Sequence, residues 1–225
     1  MLAHKNLLSN YIRSILLEGA QDFTIYFDMD GVLADFKGGT AQSPPVITAN
    51  SELQRLAQQA VSSGKPDVMG MDEESQKEFF KGEQKDPHMK ALKKAWTAAT
   101  NAKFKAAGQE GFFLNLPVLP GAQDMVHLAT SLTGKKPNVL TAPIASARAQ
   151  CEAEKEEWIK NNFPGAFDKF FCTEVKQEHA APNAILIDDR PKYVNPFRDA
   201  GGIAILHMDP NKTMEELKEI VQNAG

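Results

Sequence analysis

Cysteine is scarce in this chain: Cys151 and Cys172 are the only two. Their placement suits neither a disulfide framework nor a metal-binding pair, and it fits a reducing compartment. Long apolar runs are missing as well. Nothing approaches the roughly 20 apolar residues that a membrane span needs. The stretch over residues 1–20 is broken by Arg13 and carries Glu18 near its end, so it lacks the apolar block of a signal peptide. Strong positive charge is absent too. The formal net charge is −4, which argues against a broad nucleic-acid-binding face. The histidines, His4, His88, His127, His179 and His207, form no local metal cluster, and there is no internal repeat or long low-complexity tract. These absences predict a cytoplasmic protein without a membrane partner, and they leave room for a small anionic ligand held by a few local cations. Nothing here specifies an oligomeric state.

What remains is ordinary globular composition, 42% hydrophobic and 24% charged over 225 residues. That length holds one large domain, or a core plus a smaller unit. Leu7, Leu8, Tyr11, Ile12, Ile15 and Leu16 recur at helical spacing, predicting an N-terminal amphipathic helix over residues 1–20. Short β-rich runs follow: 23–27, 138–140, 184–187 and 203–206, with a weaker one at 170–172. Helical patterns lie between them at 122–131, 147–163, 193–200 and 214–222. This alternation predicts an α/β fold, a mostly parallel sheet covered on both faces. Residues 37–116 break the alternation with polar helical segments at 52–62, 73–81 and 89–107. The connectors there carry Gly and Pro, as in Ser43-Pro44-Pro45 and Gly64-Lys65-Pro66. The expected organisation is an α/β core over 21–36 and 117–225 with a helical insertion over 37–116.

The sharpest signal is Asp28-Met29-Asp30-Gly31-Val32, directly after the first strand. A second acidic pair, Asp188-Asp189, directly follows another strand. Open α/β sheets bind ligands outside the carboxyl ends of their strands, so two strands deliver carboxylates to one edge. Such crowding is costly unless a cation offsets it, and all-oxygen ligands suit Mg²⁺. One acid after one strand is commonly a turn or cap residue. Two pairs after two strands point instead to a metal-assisted site.

These residues resemble the four motifs of the haloacid dehalogenase superfamily: Asp28-x-Asp30-Gly31-Val32, Thr141, Lys176, and Ile187-Asp188-Asp189. The resemblance implies a Rossmann-like parallel sheet core with an inserted helical type 1 cap, and a phosphatase. It implies roles as well. Asp28 would be the nucleophile that becomes an aspartyl-phosphate, and Asp30 the general acid and base. Thr141 and Lys176 would hold phosphoryl oxygens. Asp28, Asp30 (through its carbonyl) and Asp188 would hold Mg²⁺, with Asp189 orienting that shell. Further features are similar to the 5'(3')-deoxyribonucleotidase family. They are the extension Leu33-Ala34-Asp35-Phe36, the segment Phe112-Phe113-Leu114 to Pro120-Gly121-Ala122, Thr141-x-Pro143, Glu154-Lys155-x-x-Trp158 and Asp188-Asp189-Arg190-Pro191. That likeness implies a nucleoside monophosphate substrate, a deoxyribonucleotide foremost, and it lapses across the insertion.

Two departures bear on substrate. Ala142 stands where the family commonly has serine, leaving only a backbone N–H toward phosphate. Ala145 stands where a basic residue is common, so Arg148 or Lys155 would supply the charge. Phe112 and Phe113 lie where the insertion returns to the core. They can stack on a base or simply pack. Trp96 reads as packing within the insertion and Trp158 as structural. The rivals are a sugar-phosphate or nucleic-acid 3'-phosphatase of the same superfamily, and a non-catalytic binding protein on this fold.

Overall fold

A computed structural model describes residues 22–223; the expected N-terminal helix over residues 1–20 lies outside them. The described chain forms two compact units. One holds the residues up to Phe36 and from Phe113 onward, the other Lys37–Phe112.

The first unit is built on five parallel strands: β1 (Thr24–Phe27), β2 (Asn138–Thr141), β3 (Phe170–Cys172), β4 (Ala184–Asp188) and β5 (Ile203–Leu206), in the order β3-β2-β1-β4-β5. Every neighbouring pair is parallel. The apolar runs become strands because both sheet faces are covered, which makes near-continuous Val, Ile and Leu favourable there. All five β4 residues are buried. One face packs Leu140, Leu186 and Ala204 against Tyr193, Val194 and Phe197 of α7 (Pro191–Asp199). The unit's other helices are α5 (Ala122–Thr133), α6 (Arg148–Asn162) and α8 (Pro210–Asn223). α5 packs on α8.

The strand order decides where a ligand would sit. From β1 the chain steps to β2 and β3 on one side, then crosses to β4 and β5 on the other. The reversal leaves a crevice at the carboxyl ends of β1 and β4. Phe27 registers with Ile187, and Asp28 N–H donates to the Ile187 carbonyl at 2.9 Å. Asp28 and Asp188 therefore emerge side by side.

Beyond Asp28 the chain turns tightly. The Met29 carbonyl accepts from Leu33 N (2.9 Å) and Ala34 N (2.8 Å). Met29, Val32, Leu33 and Ala34 are fully buried, so the turn is anchored by its apolar members. Ala34 then bridges Val118, and Leu119 N donates to the Leu33 carbonyl at 2.8 Å. The departure and return of the chain are thus clamped together within the sheet unit. Phe113–Leu116, expected with the insertion, group with the sheet unit instead. Phe113 is buried, stacked on Phe36 at 6.2 Å, and Trp158 Nε1 donates to the Leu116 carbonyl at 2.8 Å.

The second unit is helical. After α1 (Phe36–Ala41), whose first residue still belongs to the sheet unit, come α2 (Pro44–Ser62), α3 (Glu73–Lys81) and α4 (Pro87–Ala107). α2 packs along α4, around a core that includes Leu53, Ala60, Phe80, Met89 and Leu92, with Trp96 against it. Asp72 and Asp86 cap α3 and α4 by accepting from backbone N–H groups. One expectation needs correcting. Pro44-Pro45 is no connector: it forms the first turn of α2, eight residues before the expected start. Proline's missing N–H has no helical partner at that position in any case.

Candidate active site

The carboxyl ends of β1, β2 and β4, with the turn before α7 and one face of α6, converge on a buried, charged cluster. Asp28 is 3% exposed, and Asp188, Thr141, Lys155 and Lys176 are 0% exposed. Lys176, on a short 3₁₀ turn after β3, places Nζ 2.8 Å from Asp28 Oδ1 and 2.6 Å from Asp188 Oδ2. Its Nζ also lies 4.4 Å from the centre of the Tyr193 ring. Asp188 Oδ1 accepts from Arg190 N–H at 2.9 Å. Burial pushes the Asp188 carboxyl up to about 6, aided by repulsion from Asp28 and opposed by Lys176.

A second ion pair sits beside the first. Lys155, on α6, donates to Asp30 Oδ2 (2.7 Å), Thr141 Oγ1 (3.0 Å) and the Ala142 carbonyl (2.7 Å). Burial raises the Asp30 carboxyl above the ordinary range, and the nearby Asp28 charge adds to this, while Lys155 pulls the other way. Burial alone would lower the Lys155 ammonium, but its acidic neighbours, Asp30 foremost, carry it upward.

Gly31 makes the acidic cluster possible. Its φ is +83°, a region open to glycine and costly for other residues. A Cβ there would also lie 2.7 Å from Asp189 Cγ. The glycine therefore lets the turn form and lets the Asp189 carboxylate lie against it.

Asp28, Asp188 and Asp189 each offer a carboxylate oxygen, and these oxygens lie within 4.8 Å of one another. Among the described residues no other such group of potential metal ligands occurs. Together with Asp30, four carboxylates gather here, Asp28 and Asp188 buried and Asp30 and Asp189 half-buried. Asp30 Oδ1, moreover, is shielded and accepts no hydrogen bond. Clustered carboxylate oxygens are the hard donors that a divalent cation such as Mg²⁺ takes, so the residues present fit that ion.

The cluster thus brings together Asp28, Asp30, Thr141, Lys176, Asp188 and Asp189, all expected from sequence to act at one place. The other expected site residues lie as follows. Lys155, expected to supply charge toward substrate, is fully enclosed with its three N–H donors engaged inside the cluster. Phe113, offered as a stacking platform, is 1% exposed, with Phe36 beside it and Lys155 Nζ 4.8 Å from its ring centre. It is a packed wall because the returning segment is pinned by its own N–H to Glu154 Oε2 at 3.2 Å. Ala142 presents its carbonyl to Lys155. Arg148 is exposed in the first turn of α6. Phe112 belongs to the helical unit. Tyr193 was missed by sequence reasoning. Its position in the first turn of the helix that follows Asp188-Asp189-Arg190-Pro191 was the available signal.

No protein-family model matches the chain. The chain is similar to the mitochondrial 5'(3')-deoxyribonucleotidase of Homo sapiens, with 28% identity over 176 residues, 78% of this chain and 65% of that protein. The Mus musculus protein of the same name is 27% identical over 168 residues, 74% of this chain and 64% of its own length. The match thus spans just under two thirds of these curated relatives. Among solved structures, a haloacid dehalogenase-like family hydrolase from Xanthomonas campestris superposes with a TM-score of 0.50 at 11% identity. That superposition covers 92% of this chain and 99% of the other. The chain has the haloacid dehalogenase-like fold, a Rossmann-like parallel sheet. No helix among the described residues is long and apolar enough to cross a membrane.

Proposed function

We propose that the chain is a magnesium-dependent phosphomonoesterase that works through a phosphorylated Asp28, with deoxyribonucleoside monophosphates as preferred substrates. The observation that carries this reading is the buried constellation itself. A carboxylate at the switch point of the sheet lies among two further acids, a lysine 2.8 Å away, and a fourth acid held by a second lysine.

In this reading an Asp28 carboxylate oxygen attacks phosphorus. The ester P–O bond breaks, and the leaving oxygen takes a proton from Asp30. Water then attacks the phosphorylated Asp28 and gives its proton to Asp30. The bond to Asp28 breaks, and inorganic phosphate leaves. Lys176 and the Thr141 hydroxyl balance charge on the phosphoryl oxygens. The raised Asp30 carboxyl suits a group that must hold a proton until the leaving oxygen needs it. Mg²⁺ held by Asp28, Asp188 and Asp189 would neutralise phosphoryl charge and so ease the approach of a carboxylate.

The nucleotide part of the proposal is supported by the similarity to the two mitochondrial 5'(3')-deoxyribonucleotidases. The test is phosphate release, with magnesium, across ribonucleotides, deoxyribonucleotides and sugar phosphates. Deoxyribonucleotides should have the highest kcat/KM, with the discrimination over ribonucleotides read from the same panel. Asp28→Asn should lose turnover by several orders of magnitude, since an amide cannot form the acyl-phosphate. Sugar phosphates outrunning every nucleotide would sink the nucleotide reading. Near-normal turnover by pure Asp28→Asn would sink the mechanism.

A further inference from the structure

Lysine is rarely enclosed without a partner, yet Lys155 is 0% exposed. A buried ammonium has three N–H donors and is costly unless they are satisfied. Those of Lys155 are satisfied by Asp30 Oδ2, Thr141 Oγ1 and the Ala142 carbonyl. None is left for a ligand. Two of these acceptors are the side chains assigned above to proton transfer and to phosphoryl binding. The third fixes the backbone where β2 ends.

The helix that carries Lys155 is itself tied down. Glu154 accepts from Phe113 N–H at 3.2 Å and from Gln150 at 2.9 Å, and Trp158 donates to the Leu116 carbonyl at 2.8 Å. The lysine is therefore mounted on a rigid support, as precise placement of reacting groups requires.

We propose that Lys155 is a positioning residue, one that sets Asp30 and Thr141 for phosphoryl transfer without touching the substrate. This inference rests on the phosphatase reading above. Lys155 holds Asp30 by Oδ2. The other oxygen, Oδ1, is shielded and accepts no hydrogen bond, so Lys155 fixes the carboxyl group by one oxygen and leaves the second unengaged. Lys155 can only donate to Thr141 Oγ1, so the hydroxyl hydrogen of Thr141 is turned away toward a phosphoryl oxygen. One ammonium thus orders the proton donor and the hydroxyl donor together.

The test is a double-mutant cycle on the full, magnesium-loaded chain, with Lys155→Met, Asp30→Asn and the double variant. The substrates are a nucleoside 5'-monophosphate and 4-nitrophenyl phosphate, whose leaving group needs little protonation. Lys155→Met should lower kcat on the nucleotide by about 100-fold or more, the usual contribution of a general acid. KM should stay within about threefold, since no substrate contact is removed. The loss on 4-nitrophenyl phosphate should be smaller. In the Asp30→Asn background the same change should cost under about threefold, because groups acting as a unit are not additive. Inhibition by inorganic phosphate should weaken only a few-fold, the share that the ordered Thr141 hydroxyl contributes. Lys155→Gln, of similar length and still an N–H donor to Asp30, supplies the same cycle if the Met variant does not fold, and it should recover part of kcat. Multiplicative losses, a KM raised beyond about threefold or phosphate inhibition weakened as much as kcat would overturn the positioning role. Wild-type turnover in the same assay would leave the phosphatase reading standing.

Discussion

Replacing Gly31 by alanine probes the acidic turn without removing any charged group. The residue sits at φ +83°, and a side chain in that left-handed region costs about 1–2 kcal/mol. The new Cβ would also lie 2.7 Å from Asp189 Cγ and 3.3 Å from its Oδ1. The carboxylate must move, at an overpacking cost of about 1–3 kcal/mol. The lower end applies, because the displaced atoms end a side chain. Gly134 supplies the control: it has φ +69°, nothing within 4 Å of its would-be Cβ, and a place in the same unit. Gly134→Ala should therefore lose about 1–2 kcal/mol and Gly31→Ala about 2–4 kcal/mol. At about 2–4 °C per kcal/mol for a unit of this size, the Gly31 variant should melt several degrees below the control by circular dichroism. Its stabilisation by magnesium should also shrink, because the displaced Asp189 belongs to the oxygen cluster. Equal melting temperatures in the two variants, with an undiminished magnesium shift, would refute the close approach of Asp189 to Gly31.

The strands were legible because a covered parallel sheet demands apolar β-rich runs, and each such run here became a strand. Asp28, Asp30, Asp188 and Asp189 were legible for a related reason: chain order alone puts residues after parallel strands at one edge. The start of α2 was not legible, since Pro44-Pro45 serves a turn and a first helical turn equally well. Lys155 was harder still. The buried residues of α6 are Cys151, Glu154, Lys155, Trp158 and Ile159, a regular helical stripe in which two of the five are charged. Hydropathy hides that stripe, whereas position reveals it: Lys155 falls four residues after Cys151 and four before Ile159. Phe113 posed the opposite difficulty. An aromatic that packs and an aromatic that stacks on a base look identical in sequence, and its partner Phe36 lies 77 residues away in the chain.

Magnesium affinity should depend on pH through Asp188. Its carboxyl is pushed up to about 6, and the metal takes the ionised form, so affinity should fall as pH drops through about 6, with proton release measurable by calorimetry in buffers of differing ionisation enthalpy; a flat profile from pH 5 to 7 would exclude Asp188 as a ligand. Lys176→Met tests the charge balance itself. In the wild type one ammonium lies 2.8 Å from Asp28 Oδ1 and 2.6 Å from Asp188 Oδ2. Methionine keeps the length of the side chain and removes the charge, leaving two buried carboxylates facing each other. Breaking a buried ion pair by removing one partner costs about 3–5 kcal/mol. Three conditions should then separate. Without metal at pH 7.5 the variant should be strongly destabilised. At pH 5 the loss should be smaller, because Asp188 can take up a proton and end the repulsion. With millimolar magnesium at pH 7.5 stability should return, and the rise in melting temperature should exceed that of the wild type, since the cation now takes over the compensation that Lys176 gave. A magnesium shift no larger than the wild type's would mean that the ion does not bind between Asp28 and Asp188, and the oxygen cluster would need another explanation.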